Sequence, residues 1–297
     1  MIIDSHCHAG HGDGLTGPWD TSGDLRPYLR RAARAGIDRT VIFPVFTSDY
    51  RRANAEVARI AAADPGRLST YAMVNPTADA GAVGAIVGEA VARGACGIKI
   101  HRHDGPATRE VCTVAASLDL PVLYDVVGQP SQVELLAVEY PRVAFIIPHL
   151  GSFADDWAAM RQVIDLLVRH PNVFTDTSGI RRFDLLVEAV RRAGAHKVLF
   201  GTDGPWLHPG LELAKVRALG LTPRQEALVL AGNWLRLTKR ARANGGGGLD
   251  GGPALDALWE DPDGRAVRRR RARPGPHAFR ARRHVATRRG APARPAR

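Results

Sequence analysis

Two histidines stand one residue apart near the beginning of the chain. Residues 2–8, IIDSHCH, open with apolar side chains, which favours a buried strand. Because side chains alternate along a strand, Asp4, His6 and His8 are predicted to share one face. Two imidazoles about 6 to 7 Å apart on one face can bind one divalent cation. A pair of structural histidines is the alternative, so residues elsewhere in the chain must decide between the two.

Residues that ionise or bind metals also follow five later apolar runs. They are Lys99 with His101, Asp125, His149, Asp176 and Asp203. One buried histidine or carboxylate can be structural, but unpaired buried charge is unfavourable, and six strand ends of this kind are hard to explain in that way. A metal ion shared by several of these groups would offset the unfavourable burial.

Short apolar or β-branched runs alternate with longer amphipathic runs through residues 1–240. The predicted strands are 2–8, 40–45, 68–74, 97–101, 122–127, 143–148, 173–176 and 198–200, and the last predicted helix is 223–237. Eight strands, each followed by a helix, are typical of an α/β fold of the (β/α)8 TIM-barrel type, whose chemistry lies at the carboxyl ends of the strands. A doubly wound sheet is the competitor, but it has a glycine-rich turn after its first strand, where this chain has histidines.

The composition indicates a cytoplasmic protein with room for one large barrel or two smaller domains. The chain has 297 residues, of which 45% are hydrophobic, and this suffices for a sizeable core. No run of eighteen apolar residues predicts a membrane span, and the N-terminus shows no secretory signal. The three cysteines, Cys7, Cys96 and Cys112, are few and far apart, which indicates reduced thiols rather than disulfides.

The basic charge of the chain belongs to its C-terminal part. The net charge is +11, but residues 241–297 contain fourteen arginines and five acidic residues, so residues 1–240 carry only +2. Residues 241–297 are rich in Gly, Pro, Ala and Arg, which predicts a disordered tail after a domain of residues 1–240. Such a tail can contact nucleic acid weakly and without sequence preference. The favoured interpretation is a dispensable extension, even one translated from a shifted frame.

Four strand-end motifs resemble those of the amidohydrolase superfamily. In chain order they are DSHCH (4–8), GIKIH (97–101), PHLG (148–151) and GTDGP (201–205). The nearest resemblance is to the amidohydrolase 2 branch, which is related to aminocarboxymuconate semialdehyde decarboxylase. Residues 231–237, AGNWLRL, also resemble the closing helix of that branch. The resemblance therefore covers residues 1 to about 240 and implies a TIM barrel with a metal-dependent active site.

The resemblance also implies roles for particular residues. His6 and His8 would bind a catalytic Zn²⁺ or a similar ion, and Asp203 would bind it or accept a proton from its water. His149 would steady that water or a substrate oxygen. Zinc lowers the pKa of bound water to about 7, and a nearby carboxylate can pass the proton to a leaving group. For both Asp203 and His149, capping of a local turn is the alternative.

Asp125 departs from the pattern of the family. The fifth strand usually ends in a metal-binding histidine, and this chain has Asp125 there. Direct metal binding by its carboxylate is one expectation, and a held water or a weakened site are the others. As a ligand, Asp125 would shift the preference of the site toward Mn²⁺ or Fe²⁺.

Four further residues are expected to contact a substrate: Lys99, His101, Trp206 and His208. Lys99 would bind a substrate carboxylate or pair with Asp125, although carbamylation to bridge two metals, as in binuclear relatives, is a further alternative. His101 would contact substrate or substitute for the missing ligand. Trp206 and His208 would line the mouth of the barrel together with Asp176, although Asp176 could equally cap a turn and Trp206 could equally be a packing residue.

Three functions remain open at this level. The first is a hydrolase that uses a metal-activated water on a C–N or C–O bond of a small polar substrate. The second is a non-oxidative decarboxylase on the same scaffold, with the metal holding the substrate carboxylate. The third is a non-catalytic barrel that acts through its arginine-rich tail. A homodimer is compatible with the resemblance, although no sequence feature demands it.

Overall fold

The apolar runs of the sequence form the strands of a single sheet. A computed structural model of the protein describes residues 1–16, 22–153 and 155–244. Its strands are β1 (Ile3–His11), β2 (Ser22–Gly23), β3 (Arg39–Pro44), β4 (Leu68–Met73), β5 (Ala95–His101), β6 (Val122–Asp125), β7 (Phe145–Ile147), β8 (Val173–Asp176) and β9 (Val198–Leu199). The strand side chains are almost all buried, as expected for a parallel sheet that is covered on both faces.

The amphipathic runs form helices between the strands. The helices are α1 (Leu25–Ala35), α2 (Tyr50–Ala62), α3 (Val83–Ala92), α4 (Arg109–Ser117), α5 (Ser131–Glu139), α6 (Trp157–Arg169), α7 (Phe183–Ala193), α8 (Pro209–Ala218), α9 (Pro223–Ala227) and α10 (Asn233–Asn244). Aspartates cap several of them; the side chain of Asp24, for example, accepts from the backbone N–H of Arg26 at the start of α1. Gly36 ends α1 with a φ of 83°, a conformation that glycine adopts without strain.

Eight strands of the described chain run parallel and follow one another in sequence order. β1 pairs with β3, and each later strand pairs with the next as far as β9, while the short β2 adds antiparallel to β1. The sheet curls until the continuation of β9 meets β1. There, Ser5 N–H donates to the Phe200 carbonyl and Asp203 N–H donates to the His6 carbonyl, both at 2.9 Å.

The last helix fills the amino-terminal end of the sheet. The indole N–H of Trp234 donates to the hydroxyl of Tyr71 at 2.9 Å, and the Asn233 amide donates to the carbonyls of Ala195 and Val198. Trp234 is one of the largest buried side chains of the described residues. With this end filled, the carboxyl ends of the strands are left for a site.

The sequence predicted the α/β class and all eight parallel strands, and both predictions are confirmed. It missed the strand β2, the 3-10 turn at Pro148–Gly151 and the π-helical turn at Leu228–Gly232 that separates α9 from α10. The predicted domain boundary at residue 240 falls inside α10, which continues to Asn244. The rest of the predicted tail, from residue 245, lies outside the described residues, so its disorder stays a prediction. Within the described part of the chain, every helix is too short or too polar to span a membrane.

Candidate metal centre

The ends of β1 and β9 bring three ligand-type side chains together. His6 and His8 lie in β1, and Asp203 lies four residues after the end of β9. The Nε2 atoms of His6 and His8 lie 3.3 and 3.8 Å from Oδ1 of Asp203. Among the described residues, these three form the one group whose ligand atoms all lie within 4.8 Å of one another. The structure therefore brings together three of the four residues that the sequence suggested as metal ligands.

The chemistry and spacing of this group fit a divalent cation. Two imidazole nitrogens and one carboxylate oxygen are ligands that zinc binds at about 2.0 to 2.2 Å, which keeps neighbouring ligand atoms about 3.4 Å apart in a tetrahedral centre. The separations of 3.3 and 3.8 Å match that spacing. His6 and His8 are buried, while the Asp203 side chain keeps 15% of its surface exposed. The partly exposed carboxylate of Asp203 marks an opening through which solvent reaches the group.

Hydrogen bonds at the far side of each ring turn the imidazoles toward Asp203. Nδ1 of His6 lies 2.8 Å from Oδ2 of Asp176, and Nδ1 of His8 lies 3.0 Å from the carbonyl of Pro44. Acceptors on Nδ1 leave Nε2 as the nitrogen that can bind a metal, an arrangement common among metal-binding histidines. The two ring centroids are 5.7 Å apart, slightly closer than the 6 to 7 Å expected from strand geometry.

Charges in the group favour an ionised Asp203. Burial raises the pKa of its carboxyl group, but the imidazoles of His6, His149 and His8 outweigh this and hold the pKa below its usual range. Burial acts against the charged form of His6, yet the carboxylate of Asp176 raises the pKa of its imidazole to about 9. Burial lowers the pKa of His8 well below its ordinary value.

Asp125 lies in a second cluster beside the three-residue group. Its Oδ2 is 3.1 Å from Nε2 of His101 and 3.7 Å from Nε2 of His149. The two imidazoles hold the pKa of the Asp125 carboxyl well below its usual range, against the effect of burial. Asp125 does not belong to the compact three-residue group, so direct metal binding by Asp125 stays a prediction.

His149 is held by the segment that follows β8. It is the second residue of a 3-10 turn and has a φ of 58°, unusual for a non-glycine residue. Its Nδ1 lies 2.6 Å from the carbonyl of Ser178, and the ring of Phe153 packs edge-on against it at 5.2 Å. His149 therefore reaches the site through a strained turn rather than as a strand residue.

Lys99 is fully buried in β5, and its Nζ has no hydrogen-bond partner among the described residues. The nitrogen lies 5.2 Å above the ring of Phe43. Burial lowers the pKa of the ammonium group, although the carboxylates of Asp125 and Asp203 oppose that shift. The expected direct pairing of Lys99 with Asp125 is absent from this part of the chain, because Asp125 contacts His101 instead.

Aromatic rings surround the opening above the group. The Trp206 ring lies 4.9 Å from the His8 ring and is 47% exposed, while Phe46 lies 4.8 Å from the His101 ring. His208 caps α8, since its Nδ1 accepts from the backbone N–H of Gly210 at 3.2 Å. The substrate contacts expected for Trp206, His101 and His208 stay predictions.

The structure corrects the predicted orientation of two aspartates. Asp4 does not join His6 and His8, because its carboxylate accepts from the hydroxyl of Tyr28 and from the backbone and hydroxyl of Thr202. An irregularity in the pairing of β1 with β3 between residues 4 and 7 breaks the strand alternation that had placed Asp4 beside the histidines. Asp176 is fully buried and does not line the mouth, although it does cap the turn at Ser178 as well as contact His6.

A family model described as amidohydrolase matches residues 3–240. The chain belongs to the amidohydrolase family. Its strand-end motifs had already suggested the amidohydrolase 2 branch, and that prediction is confirmed. The chain is therefore an enzyme of the amidohydrolase type. None of the curated proteins matches this amidohydrolase.

Solved structures share the fold of this amidohydrolase at low sequence identity. An uncharacterised TIM-barrel protein from Bordetella bronchiseptica is 17% identical, with a TM-score of 0.64, over 81% of this chain and 99% of its own. A probable 2-pyrone-4,6-dicarboxylic acid hydrolase from Acinetobacter baumannii, solved with citric acid, has 17% identity and a TM-score of 0.64 over 80% and 99%. A dihydroxybenzoic acid decarboxylase from Polaromonas, solved with manganese and 2-nitroresorcinol, has 17% identity and a TM-score of 0.61 over 82% and 98%.

Two residues of the amidohydrolase site gave no sequence signal of their function. The carbonyl of Pro44 holds His8, and Ser178 contacts His149, yet neither belongs to a motif. A polar residue two positions after the predicted strand 173–176 was the one available hint for Ser178. The hydrogen bond between the Pro44 carbonyl and His8 cannot be predicted from the sequence, because it depends on which strands become neighbours.

Proposed function

We propose that this amidohydrolase is a metal-dependent hydrolase of small carboxylated substrates, acting on a C–N or C–O bond. The observation that carries the proposal is the convergence of His6, His8 and Asp203 within 4.8 Å at the carboxyl ends of the strands. The fold is the TIM-barrel type, and we propose that the curled sheet closes completely, with the bonds from β1 to residues 200 and 203 as its seam.

His6, His8 and Asp203 would hold the cation, and Asp125 is proposed as a further ligand. Zn²⁺ suits two imidazoles and a carboxylate, whereas a second carboxylate would favour Mn²⁺ or Fe²⁺. The cation supplies an activated water and a Lewis acid for a substrate oxygen. The side chains around the cation would transfer protons and bind the substrate.

Asp203 and His149 are proposed to move and steady protons. The low pKa of Asp203 keeps it an anion at neutral pH, so it can accept a proton from the attacking water and return it to the leaving group. His149 has Nδ1 against the Ser178 carbonyl, which leaves Nε2 for a substrate oxygen or for the water. Both groups hold their positions through bonds to neighbouring strands.

Lys99 is proposed to bind the substrate carboxylate. A buried ammonium without a partner is unfavourable, and a substrate anion would supply the missing hydrogen bonds. His101 and Trp206 are proposed to contact the rest of the substrate from the sides of the opening, and His208 to contact it at the rim. The aromatic ring of Trp206, partly exposed, suits a planar substrate.

A decarboxylase is the second candidate. It is favoured by the likeness to the dihydroxybenzoic acid decarboxylase that was solved with manganese. In that reaction the C–C bond to the carboxylate breaks, carbon dioxide leaves, and the carbon that it leaves takes up a proton. The ammonium of Lys99, which has no hydrogen-bond partner among the described residues, would bind an anionic oxygen of the substrate.

Product analysis separates the two reactions. The full chain, loaded with Zn²⁺ or Mn²⁺, is incubated with a lactone acid, 2-pyrone-4,6-dicarboxylate, and with dihydroxybenzoates. A hydrolase opens the lactone with uptake of water and no gas, whereas a decarboxylase releases carbon dioxide from the benzoates. Release of carbon dioxide alone would overturn the hydrolase proposal in favour of the decarboxylase. Metal content below one equivalent for every three chains, after loading and desalting, would count against both.

Three further proposals concern the location of the protein, its assembly and its C-terminal part. Three free, buried cysteines support a reducing compartment such as the cytoplasm. A homodimer and a weak nucleic-acid contact through the basic residues 245–297 are proposals that two measurements test. Deletion of residues 245–297 should leave metal content and turnover unchanged and remove retention on a nucleic-acid column, and sedimentation of the full chain gives the number of subunits.

A further inference from the structure

One short segment touches the imidazoles of both His6 and His149. It comprises residues 176–178, at and just after the end of β8. Oδ2 of Asp176 lies 2.8 Å from Nδ1 of His6, and the carbonyl of Ser178 lies 2.6 Å from Nδ1 of His149. The two rings are 5.2 Å apart, so a single piece of backbone borders both.

The hydroxyl of Ser178 joins these contacts into one network. It lies 2.5 Å from Oδ1 of Asp176, 3.3 Å from Nδ1 of His6 and 3.1 Å from Nδ1 of His149. An ionised carboxylate only accepts, so the hydroxyl donates to Asp176 and its oxygen accepts from the two rings. The carboxyl group of Asp176 has a lowered pKa, despite burial, because His6 lies beside it.

This hydrogen bonding permits one placement of the ring protons. Asp176 Oδ2 and the Ser178 carbonyl are acceptors, so Nδ1 of His6 and Nδ1 of His149 must each carry a proton. In a neutral imidazole, a proton on Nδ1 leaves a lone pair on Nε2. The Nε2 of His6 is the atom that lies 3.3 Å from Asp203.

The backbone of the segment allows the close approach. Gly179 has a φ of 61°, and a Cβ at this position would lie 2.4 Å from the ring of Phe153 and 3.1 Å from Nδ1 of His149. Only glycine therefore lets the chain turn away here while the Ser178 carbonyl stays against the imidazole. Asp176 and Ser178 are both fully buried, which excludes water as a competing partner and strengthens each bond.

We propose that Asp176 and Ser178 are positioning residues that fix the Nδ1-protonated form of His6 and His149 together, so that both Nε2 atoms face the metal centre. The inference rests on the proposed function for its consequence in catalysis, but the proton placement itself does not depend on a bound metal. One segment thus sets the metal ligand through Asp176 and the proton-handling histidine through the Ser178 carbonyl.

Nitrogen-15 NMR of histidine in the metal-free full chain tests the proton placement. At about pH 10, above the pKa of about 9 that Asp176 gives to His6, the remaining ring proton of His6 and that of His149 should lie on Nδ1 in the unmodified protein. Asp176→Asn should let His6 populate the Nε2-protonated form. Gly179→Ala, whose Cβ would press on Phe153 and on Nδ1 of His149 and so displace the Ser178 carbonyl, should do the same for His149. Ser178→Ala keeps that backbone carbonyl and should leave the proton of His149 on Nδ1. Thr175→Val is the matched control, because Thr175 lies in the same strand and donates to the Ile147 carbonyl without touching an imidazole.

Titration with Zn²⁺ and the visible spectrum of the Co²⁺-loaded chain test the consequence. Asp176→Asn should weaken Zn²⁺ binding by about 10- to 100-fold and alter the Co²⁺ bands, as for other partners of metal-binding histidines. Ser178→Ala should change Zn²⁺ affinity by less than about threefold, because Asp176 still holds His6. Thr175→Val should leave both readouts unchanged.

The outcomes are distinct from those of the proposed function. Unchanged ring protonation in both Asp176→Asn and Gly179→Ala would overturn the inference, whatever the metal content. If the unmodified chain binds no Zn²⁺ while its ring protons respond as stated, the proposed function fails and the positioning role stands. If Asp176→Asn does not fold, the protonation of His149 in Gly179→Ala decides.

Discussion

Two lysines lie buried toward opposite ends of the parallel sheet, and their surroundings differ. Lys197, just before β9, donates to the carbonyls of His170, Pro171 and Val173 at 2.6 to 3.1 Å. Lys99, within β5, has no hydrogen-bond partner among the described residues. Burial of a polar group is tolerated when it is fully hydrogen-bonded and is unfavourable otherwise. The lysine at the amino end of the sheet is thus fully hydrogen-bonded, whereas among the described residues the lysine toward the carboxyl end has no hydrogen-bond partner.

The same contrast holds for the residues around each lysine. At the amino end, the Asn233 amide donates to two carbonyls and Trp234 packs into the core. At the carboxyl end, imidazoles and carboxylates face one another across an opening, and their pKa values are displaced by mutual charge. Substitutions at the two ends should therefore separate into effects on stability and effects on function.

The largest effect is expected from His6→Ala. Loss of one imidazole from the three-residue group should remove metal binding and lower turnover by at least about 1000-fold, while thermal unfolding changes little. Metal analysis of the purified variant, beside its unfolding curve, checks this. Retention of a full equivalent of metal would contradict the site itself.

Lys197→Met should act on stability alone. Three carbonyls, of which that of Val173 is in a buried residue, lose their donor, so the free energy of unfolding should fall by about 2 kcal/mol. Denaturant unfolding gives that number, and steady-state kinetics of the folded variant should match the unmodified enzyme. If the folded variant also showed a large loss of turnover, the assignment of this end of the sheet to stability alone would be wrong.

Lys99→Met is the counterpart at the other end. Removal of an unpaired buried ammonium should leave the free energy of unfolding unchanged or raise it by about 1 kcal/mol. Catalytic efficiency on carboxylated substrates should fall by about 30-fold, mostly through KM, because a charge-assisted bond to the substrate is lost. A strongly destabilised variant with normal KM would show that Lys99 is structural.

Asp125→His restores the histidine usual at this position in the family. We expect Zn²⁺ affinity to rise by about tenfold, since an imidazole is a better zinc ligand than a carboxylate that already pairs with His101. Metal titration of the variant and of Asp125→Asn measures the change. If neither substitution alters Zn²⁺ affinity, the proposed ligand role of Asp125 fails.

The smallest effect concerns pH and the buried Asp4. Burial raises the pKa of its carboxyl group from 3.8 to about 7, against the opposing bond from Tyr28. The folded state then holds a proton that the unfolded state has lost, so this group makes stability fall as pH rises from about 4 to about 7. In metal-free protein, Asp4→Asn should reduce the fall in the free energy of unfolding between pH 5 and 7 by about 1 to 2 kcal/mol. Identical slopes in chemical unfolding would refute the shifted carboxyl group.

Much of the fold and part of the site could be predicted from the sequence. Apolar runs with regular spacing located all eight parallel strands, because burial of a strand on both faces requires such runs. His6, His8 and Asp203 were predicted as metal ligands, and these three lie in one group. The fold places the carboxyl ends of its strands side by side, so knowing which residues stand at those ends is enough to locate the site.

Asp4 and His149 show where the sequence was insufficient. Strict alternation put Asp4 beside the histidines, but an irregularity in β1 turned it toward Tyr28 of α1. The motif around His149 suggested its importance but not the positive φ through which it reaches the site. Local irregularities of one or two residues are decided by packing, which no periodic pattern records.

The sequence alone determined the class of fold, the order of the strands and the residue types at their carboxyl ends. It did so because hydrophobic periodicity and the position of ionisable residues are properties of the chain itself. Only the tertiary structure decided which partners those residues have. It placed Asp176 and Ser178 beside His6 and His149, and within residues 1–16, 22–153 and 155–244 it gave Lys99 no hydrogen-bond partner. Hydrogen bonds between residues about 170 positions apart depend on how strands curl together, and that arrangement is a property of the whole folded chain.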